Sequence, residues 1–207
     1  AEGQLGNKKF LEYVTKFGIF KKTGIDLQGE TAPSNLEFRK GSEINYATAS
    51  FGQGIEMTPI QLVRAFCVIA NGGKLVKPHL VEQEPEISNN NIISSQTASK
   101  VTAMLVSVVE AAYTRAAQVP GYYVAGKTGT AQVSYSALGV NQKGYSDKTW
   151  QSFIGFAPAF NPQFLILVKL NNPNTKTAEY SALPVFQELA KYMIDYYQIP
   201  PDYNENK

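Results

Sequence analysis

The pattern of apolar and polar positions along the chain predicts four helices. The clearest begins at Thr58, an N-cap hydroxyl followed by Pro59 in the first turn and by Gln61 three residues after the cap. It runs to about Ala70, and because it is apolar nearly all round, we expect it to be buried. Helical spacing predicts three further helices, over 7–17 with Gly18 as its end, from Ser94 or Ser95 to about Ala112, and over 183–197. Their apolar stripes are Phe10, Leu11, Val14 and Phe17; Val101, Met104, Leu105, Val108 and Ala112; and Phe186, Leu189, Ala190, Met193, Ile194 and Tyr197.

Three apolar runs with strand-like composition lie in the second half of the chain, at 122–133, 150–157 and 164–170. A long polar tip, 134–148, joins the first two runs, and Asn161 with Pro162 forms the turn between the last two. Earlier in the chain, 74–81 suggests a short strand pair, whereas 19–48 and 82–91 are polar and loop-like. Neighbouring strands joined by turns pair antiparallel. The predicted fold class is therefore α+β, an antiparallel sheet covered by helices.

The composition fits part of one globular domain and narrows the classes of partner. The chain has 207 residues, 43% of them hydrophobic, and can bury a core over 1–199, which leaves 200–207 as a polar, disordered tail. A net charge of +2, spread along the sequence, argues against a nucleic-acid partner. No apolar run approaches the ~20 residues of a membrane span. We expect Cys67 to be a small buried side chain, and we expect no metal site, because His79 has no carboxylate nearby at metal-ligand spacing.

Residues 126–132 (GKTGTAQ) combine a cation, two hydroxyls and two glycines after an apolar lead that predicts a strand. Lys127 supplies a point charge for an anion, and Thr128 and Thr130 supply hydrogen-bond donors. Gly126 and Gly129 let a ligand approach the backbone closely, because they carry no Cβ atom. The pattern predicts a strand that holds a carboxylate against its edge. An exposed strand with a solvated lysine is the simpler alternative.

Four regions of the sequence resemble the penicillin-binding transpeptidases, specifically the class B, monofunctional type. They are 121–132 (GYYVAGKTGTAQ), similar to the family's third active-site motif; 49–62 with 70–74, similar to the loop and buried helix upstream of that motif; 16–18 with 22–27; and 153–158. The regions follow the family's order and cover roughly 5–197. The resemblance implies that 1–199 is the C-terminal portion of a transpeptidase domain, with the fold shared by penicillin-binding proteins and serine β-lactamases.

The resemblance also implies the acyl transfer of a peptidoglycan DD-transpeptidase. A serine attacks the D-Ala-D-Ala carbonyl of a stem peptide, an amine from a second stem resolves the acyl-enzyme, and penicillin enters the same path and stalls there. Lys127 would be catalytic. It would orient the serine of the second motif and provide a positive electrostatic potential. Thr128 and Thr130 would hold the substrate carboxylate, the Thr130 backbone N–H would form half of the oxyanion hole, and Gly129 would keep the strand edge open. The implied partners are stem peptides and β-lactams, without a cofactor, at the extracytoplasmic face of the bacterial cell membrane.

Two of the family's three motifs, Ser-x-x-Lys and Ser-x-Asn, lack a convincing match in this sequence. Residues 97–100 have the spacing of the first but begin with Thr97, and 88–90 match the second within a polar connector where such matches arise easily. We therefore expect the C-terminal part of the domain, inactive alone. Its partner would be a missing N-terminal part that carries the serine and any membrane anchor. The alternative is a non-catalytic module that recognises β-lactams or wall peptides.

Several other side chains have a structural and a functional interpretation. Asp26 and Glu30 flank a glycine-containing turn and are interpreted as structural. Tyr135 and Tyr145 lie on the polar tip and are candidates for substrate contact. The aromatic residues of the strands are assigned to the core and to cross-strand pairs, with the lining of a cleft as the alternative; they are Tyr122, Tyr123, Trp150 and Phe153.

Overall fold

The computed structural model describes residues 6–112 and 115–204. The chain divides into two compact units, Ala1–Ser99 and Lys100–Lys207. The first unit is mainly helical with a two-stranded sheet, and the second contains a three-stranded sheet. In the part of the chain that the structure describes, no helix is both long and apolar enough to span a membrane.

The first unit confirms the first predicted helix and adds two helices that patterning did not reveal. Its elements are α1 (Asn7–Lys16), α2 (Leu36–Arg39), α3 (Glu43–Ala49), α4 (Pro59–Ala70), and the antiparallel strands β1 (Lys74–Val76) and β2 (Ile87–Asn91). The prediction of a loop over 19–48 was wrong, because α2 and α3 lie within it. Phe38 of α2 and Tyr46 of α3 are buried with their ring centroids 5.1 Å apart, and Phe10 of α1 packs 6.1 Å from both. This aromatic packing outweighs the polar local composition.

The strand β2 lies in a second region, 82–91, that the sequence predicted to be a loop. Its composition (ISNNN) is polar, and it forms through pairing with β1. The Lys77 N–H donates to Glu86 O at 3.0 Å, and the Ile92 N–H donates to Gly73 O at 2.7 Å. Backbone pairing thus compensates for side chains with little strand preference.

The helix α4 begins as predicted but buries a different face. Thr58 caps it through the predicted capping box, in which the Gln61 N–H donates to Thr58 Oγ1 and the Thr58 N–H donates to Gln61 Oε1. The buried side chains are Gln61, Arg64 and Val68, whereas the other apolar residues are half-buried. The prediction of burial all round was therefore wrong. The buried face is partly polar because its side chains bind the backbone of the segment that follows α1.

The helix α5 (Ser95–Ala111) continues from the first unit into the second. The Thr97 N–H donates to Ser94 Oγ at 3.1 Å, which decides between the two predicted caps in favour of Ser94. The buried stripe is Ala98, Thr102, Val106 and Val109. The predicted stripe was partly wrong, since Met104 and Val108 are 65% and 46% exposed. Spacing alone does not distinguish two adjacent apolar stripes on one helix.

The second unit confirms the predicted antiparallel sheet. Its strands are β3 (Ala125–Ser134), β4 (Tyr145–Ala157) and β5 (Phe164–Asn171), in the order β3-β4-β5. The start of β4 takes in 145–148, which the sequence assigned to the polar tip. The helix α6 (Ala182–Tyr196) packs on β4 and β5. The predicted α+β fold class is borne out.

The core of the second unit lies between α6 and one face of the sheet. Phe186 of α6 and Phe153 of β4 pack with ring centroids 4.6 Å apart. Ala190 and Ile194 are buried as predicted, together with Ala182 and Leu183. The predicted inward positions Leu189 and Tyr197 are 42% and 63% exposed, because the residues facing the sheet follow a four-residue spacing along one side of the helix.

Part of the predicted tail is held against the strand region. The Asp202 N–H donates to Gly121 O at 2.9 Å, and Asp202 Oδ2 accepts from the Tyr123 N–H at 2.9 Å. The Tyr203 ring lies 4.9 Å from the Tyr123 ring. The prediction of disorder was therefore wrong for the described residues 200–204, because the Pro-Pro-Asp-Tyr sequence supplies both an aromatic contact and a carboxylate acceptor.

Candidate functional site

The predicted site residues 127–130 lie in the middle of β3, which is the end strand of its sheet. Among the described strands β3 pairs with β4 alone, so the prediction that this strand forms a sheet edge is confirmed. Lys127, Thr128, Gly129 and Thr130 stand opposite Ile154, Phe153, Ser152 and Gln151 of β4. Lys127 and Thr130 are exposed, and Thr128 and Gly129 are half-buried.

The side chains of Lys127 and Thr128 meet at this edge. Successive side chains of a strand point to opposite faces, so Thr128 and Thr130 share one face and Lys127 with Gly129 the other. The Lys127 ammonium nevertheless turns back along the edge, donating to Thr128 O at 2.9 Å and lying 3.4 Å from Thr128 Oγ1. The ion pairs of the described residues lie in the first unit, so the structure gives Lys127 no carboxylate partner. An external anion can therefore reach an ammonium and a hydroxyl together.

Thr130 lies further along the same face as Thr128, about 6.7 Å away at the usual strand rise. Its Oγ1 atom accepts a hydrogen bond from the Ala178 N–H at 3.3 Å. Ala178 belongs to a short 3₁₀ helix, Ala178–Tyr180, between β5 and α6. One lone pair of the Thr130 hydroxyl is thus engaged by the Ala178 N–H, and its proton remains available to a ligand.

The two glycines of the motif have packing roles that the sequence interpretation did not include. A Cβ atom on Gly126 would lie 2.4 Å from the Phe153 ring, so glycine is needed there for the ring to pack under β3. A Cβ atom on Gly129 would lie 2.8 Å from Ser152 Oγ, which can rotate away. Close packing within the sheet is therefore sufficient to explain Gly126.

One buried residue beside the site, Gln151, was not identified from the sequence. Gln151 lies directly opposite Thr130 and is fully buried. Its amide binds Thr149, Thr175 and Ser181, which fixes the segment that carries Ala178. The signal in the sequence is a glutamine two residues before Phe153, in register with the core-facing side of β4.

Comparison with known families matches residues 1–191 to the Penicillin binding protein transpeptidase domain. The chain belongs to this family. Stage V sporulation protein D of Bacillus subtilis is 37% identical over 182 residues, which cover 82% of this chain and 27% of that protein. The probable peptidoglycan D,D-transpeptidase PbpC of Pseudomonas aeruginosa is 35% identical over 206 residues, which cover 96% of this chain and 35% of that protein. The chain thus spans no more than about a third of the length of these relatives.

Solved structures of the same family share the fold of this transpeptidase-domain chain. Penicillin binding protein 3 of Mycobacterium tuberculosis, complexed with ampicillin, has a TM-score of 0.82 at 29% identity, covering 100% of this chain and 49% of that one. The transpeptidase domain of penicillin-binding protein 3 from Burkholderia pseudomallei has a TM-score of 0.82 at 27% identity, covering 96% and 60%. These likenesses confirm the family resemblance and the fold that the sequence predicted.

Two carboxylates of the transpeptidase-domain chain have the structural role that the sequence predicted. Glu30 accepts hydrogen bonds from the Thr23 hydroxyl at 2.6 Å and from the Gly24 N–H at 2.9 Å, and the Thr23 hydrogen bond lowers the pKa of the Glu30 carboxyl. Asp26 accepts from the Leu80 N–H at 2.8 Å and the Val81 N–H at 3.2 Å, and these two bonds lower the pKa of its carboxyl. Both side chains fasten loops of the first unit.

The formal matches to the other two motifs serve local structure. The Thr97 and Ser94 hydroxyls are 2.8 Å apart in the cap of α5. Ser88 lies in β2, where its hydroxyl bonds to the backbone of Asn90. Cys67 is half-buried, and this burial raises the pKa of its thiol. Residues 6–112 and 115–204 contain no group of three or more His, Cys, Asp or Glu side chains that could hold a metal ion.

The aromatic residues near the site divide between the core and the surface. Phe153 is buried as predicted, and Tyr122 is half-buried with its hydroxyl donating to Ile199 O at 2.6 Å. Trp150 and Tyr123 are 40% and 37% exposed, so their assignment to the core was wrong. The Lys169 ammonium covers Trp150, 4.6 Å from its ring centroid. On the tip, Tyr135 is half-buried and Tyr145 is 44% exposed at the start of β4.

Proposed function

We propose that this chain supplies the substrate-binding strand of a peptidoglycan DD-transpeptidase. The observation that carries the proposal is the edge strand β3, on which a hydroxyl converges with an ammonium that has no carboxylate partner among the described residues. Support comes from relatives named as probable peptidoglycan D,D-transpeptidases and from a similar structure complexed with ampicillin. In this proposal stem peptides and β-lactams are the ligands of the strand.

Each residue of the motif has a distinct role in the proposed reaction. The hydroxyls of Thr128 and Thr130 bind the carboxylate of the terminal D-alanine, and the Lys127 ammonium supplies positive field beside it. The Thr130 backbone N–H is one of two donors that stabilise the oxyanion when the carbonyl carbon becomes tetrahedral. Gly129 leaves the strand edge open, so that substrate backbone can lie alongside it.

The covalent steps need a serine and a base that the 207-residue sequence does not provide in a Ser-x-x-Lys motif. We place these groups on a polypeptide segment outside these residues. The serine oxygen bonds to the penultimate D-alanine carbonyl carbon and the terminal D-alanine leaves as an amine. An amine of a second stem peptide then displaces the serine and forms the cross-link. We place this reaction at the extracytoplasmic face of the bacterial membrane, where peptidoglycan is assembled.

The proposal predicts that Lys127→Ala slows acylation of the full-length protein by benzylpenicillin about 10²–10³-fold, the usual cost of removing one such electrostatic contact. Lys127 is exposed, so the free energy of unfolding of the variant should differ from that of the wild type by less than about 0.5 kcal/mol. Lys191→Ala is the matched control, because Lys191 is an exposed lysine of α6 in the same unit. The measurement is the acylation rate constant from time-resolved intact mass.

Equal acylation rates for the Lys127 and Lys191 variants would contradict the role of the strand. Complete absence of acylation in the full-length wild-type protein would contradict the proposed transpeptidase activity. It would favour a module that recognises wall peptides without turning them over.

A further inference from the structure

The segment between β5 and α6 is fastened through Gln151 to β4, the strand that pairs with the substrate-binding strand β3. Gln151 Oε1 accepts from the Ser181 hydroxyl at 2.6 Å and from the Thr175 hydroxyl at 3.0 Å. Gln151 Nε2 donates to Thr175 O at 2.6 Å and to Thr149 Oγ1 at 3.0 Å. The amide therefore uses both of its lone pairs and both of its protons. Residues 175–181 are held at two points, one on either side of Ala178.

Burial makes this arrangement costly unless every bond is formed. Gln151 has no exposed surface, and it is flanked two residues later by Phe153, which belongs to the apolar core. An amide that is buried without hydrogen-bond partners loses its bonds to water, which costs free energy of folding. An apolar residue at this position would carry no such cost, because it needs no hydrogen-bond partners. A fully bonded polar network instead imposes one conformation on the segment it binds. The network thus specifies where Ala178 lies.

The position of Ala178 determines the state of the Thr130 hydroxyl. Thr130 stands directly opposite Gln151 in the β3–β4 pair, and the Ala178 N–H donates to its Oγ1 at 3.3 Å. A hydroxyl has a single proton, and an oxygen that accepts from an N–H keeps that proton for a different acceptor. Thr130 is exposed on the end strand β3, where the proposed function places the substrate carboxylate.

We propose that Gln151 is a positioning residue for carboxylate recognition. It fixes residues 175–181 so that the Ala178 N–H orients the Thr130 hydroxyl as a donor toward the substrate carboxylate. This inference rests on the proposed function, in which Thr130 binds that carboxylate, and adds to it the residue that prepares Thr130 for the task.

The test compares acylation of the full-length protein by benzylpenicillin and by its neutral methyl ester. The ratio of the two rate constants measures preference for the carboxylate. We expect Thr130→Val to lower this ratio about tenfold or more, the effect of one hydrogen bond to a charged group. Gln151→Met, which keeps the side-chain length without the amide, should lower the ratio in the same direction. The double variant should add less than about twofold, because both changes remove one interaction.

Two matched controls and one milder variant accompany the test. Thr130→Ser keeps the hydroxyl and should preserve the ratio. Gln187→Met removes the side-chain bond to Gln118 O, 2.6 Å long, elsewhere in the same unit and should also preserve it. If Gln151→Met fails to fold, Thr175→Val removes one bond to Gln151 Oε1 at nearly constant volume, and its ratio is compared instead.

The outcomes separate this inference from the proposed function. A ratio lowered by Thr130→Val but unchanged by Gln151→Met or Thr175→Val would overturn the positioning role of Gln151 and leave the proposed function standing. Equal slowing with both ligands at an unchanged ratio would show that Gln151 supports only the fold. A ratio unaffected by Thr130→Val, or a wild-type protein that is not acylated, would contradict the proposal that β3 binds the substrate carboxylate. The inference about Gln151 would then be overturned as well.

Discussion

Arg64 binds the backbone of the segment that follows α1 through two carbonyl groups. Its Nη2 donates to Gly18 O at 3.0 Å and its Nη1 to Thr23 O at 3.1 Å. Burial lowers the pKa of the guanidinium, and the charge of Glu30 acts in the opposite direction. The guanidinium fits against the chain only because Gly18 has no side chain, since a Cβ atom there would lie 2.2 Å from Nη2.

This packing predicts a large effect for Gly18→Ala. The new methyl group would displace Arg64 and break a hydrogen bond to a charged group, which is worth about 1.5–3 kcal/mol. The backbone φ of 78° adds the strain of a left-handed conformation, about 1–2 kcal/mol. Gly29→Ala is the control, because Gly29 has a φ of 77° and a Cβ atom added there would meet nothing within 4 Å. Denaturant unfolding of the full-length protein measures both changes.

The backbone strain is common to both glycine variants, so the difference between their free energies of unfolding measures the effect of the contact with Arg64. We expect Gly18→Ala to lower the free energy of unfolding by at least about 1.5 kcal/mol more than Gly29→Ala. Equal losses would mean that Arg64 moves aside without cost, and the buried guanidinium would then have no anchoring role.

At the scale of elements, α4 is joined to the preceding segment by Gln61, the side chain that completes its capping box with Thr58. Gln61 Oε1 accepts from the Thr58 N–H at 2.8 Å, while its Nε2 donates to Ile19 O at 3.1 Å and to Lys21 O at 2.7 Å. The start of the helix and the position of residues 19–21 are therefore coupled through one buried amide.

This coupling predicts that Gln61→Ala destabilises the protein more than Thr58→Ala. Loss of the Thr58 cap should cost about 1 kcal/mol, the usual value for an N-cap hydroxyl. Loss of the Gln61 amide removes a cap bond and leaves two carbonyl oxygens without their donor, at about 1–3 kcal/mol for each buried group. Thermal unfolding of the two variants checks the order, and a larger effect of Thr58→Ala would show that Gln61 acts only as part of the cap.

Elements whose signals are local could be predicted, and those that depend on distant partners could not. The cap at Thr58 and the three antiparallel strands follow from neighbouring residues and were found from the sequence. The helices α2 and α3 and the strand β2 depend on aromatic packing and on pairing with β1, which the local composition does not encode. The buried stripe of α5 was misplaced because spacing predicts a helix more reliably than its orientation.

The same distinction applies to the candidate site. Lys127, Thr128 and Thr130 could be singled out because their chemistry and spacing are contiguous, and the edge position of their strand was implied by the family resemblance. Gln151 could not be assigned a role, because its partners Thr175 and Ser181 lie 24 and 30 residues away in the sequence. The role of Gln151 depends on the segment between β5 and α6, whose Ala178 N–H donates to Thr130 Oγ1.

At the scale of the whole molecule, the 207-residue chain holds a candidate substrate-binding strand, but its sequence contains no Ser-x-x-Lys motif. That motif places a hydroxyl and an amine one helical turn apart. Residues 97–100 share this spacing, yet the Thr97 hydroxyl lies 2.8 Å from Ser94 Oγ within the cap of α5. Ser88 bonds to the backbone within its own strand. Both hydroxyls are thus engaged in local structure, and among the described residues neither is bonded to a lysine amine that could accept its proton.

We therefore predict that the 207-residue chain alone forms no covalent adduct with benzylpenicillin. A carboxylate held on β3 stays unreacted, because binding without an activated nucleophile leaves the acylation barrier in place. Intact mass after incubation measures the result, with the full-length protein as the positive control that gains one penicillin. A stoichiometric gain by the short chain would reveal a nucleophile within these residues, and peptide mapping of the adduct would then identify it. A gain by the full-length protein alone would assign the nucleophile to the rest of the polypeptide and leave β3 with recognition of the ligand.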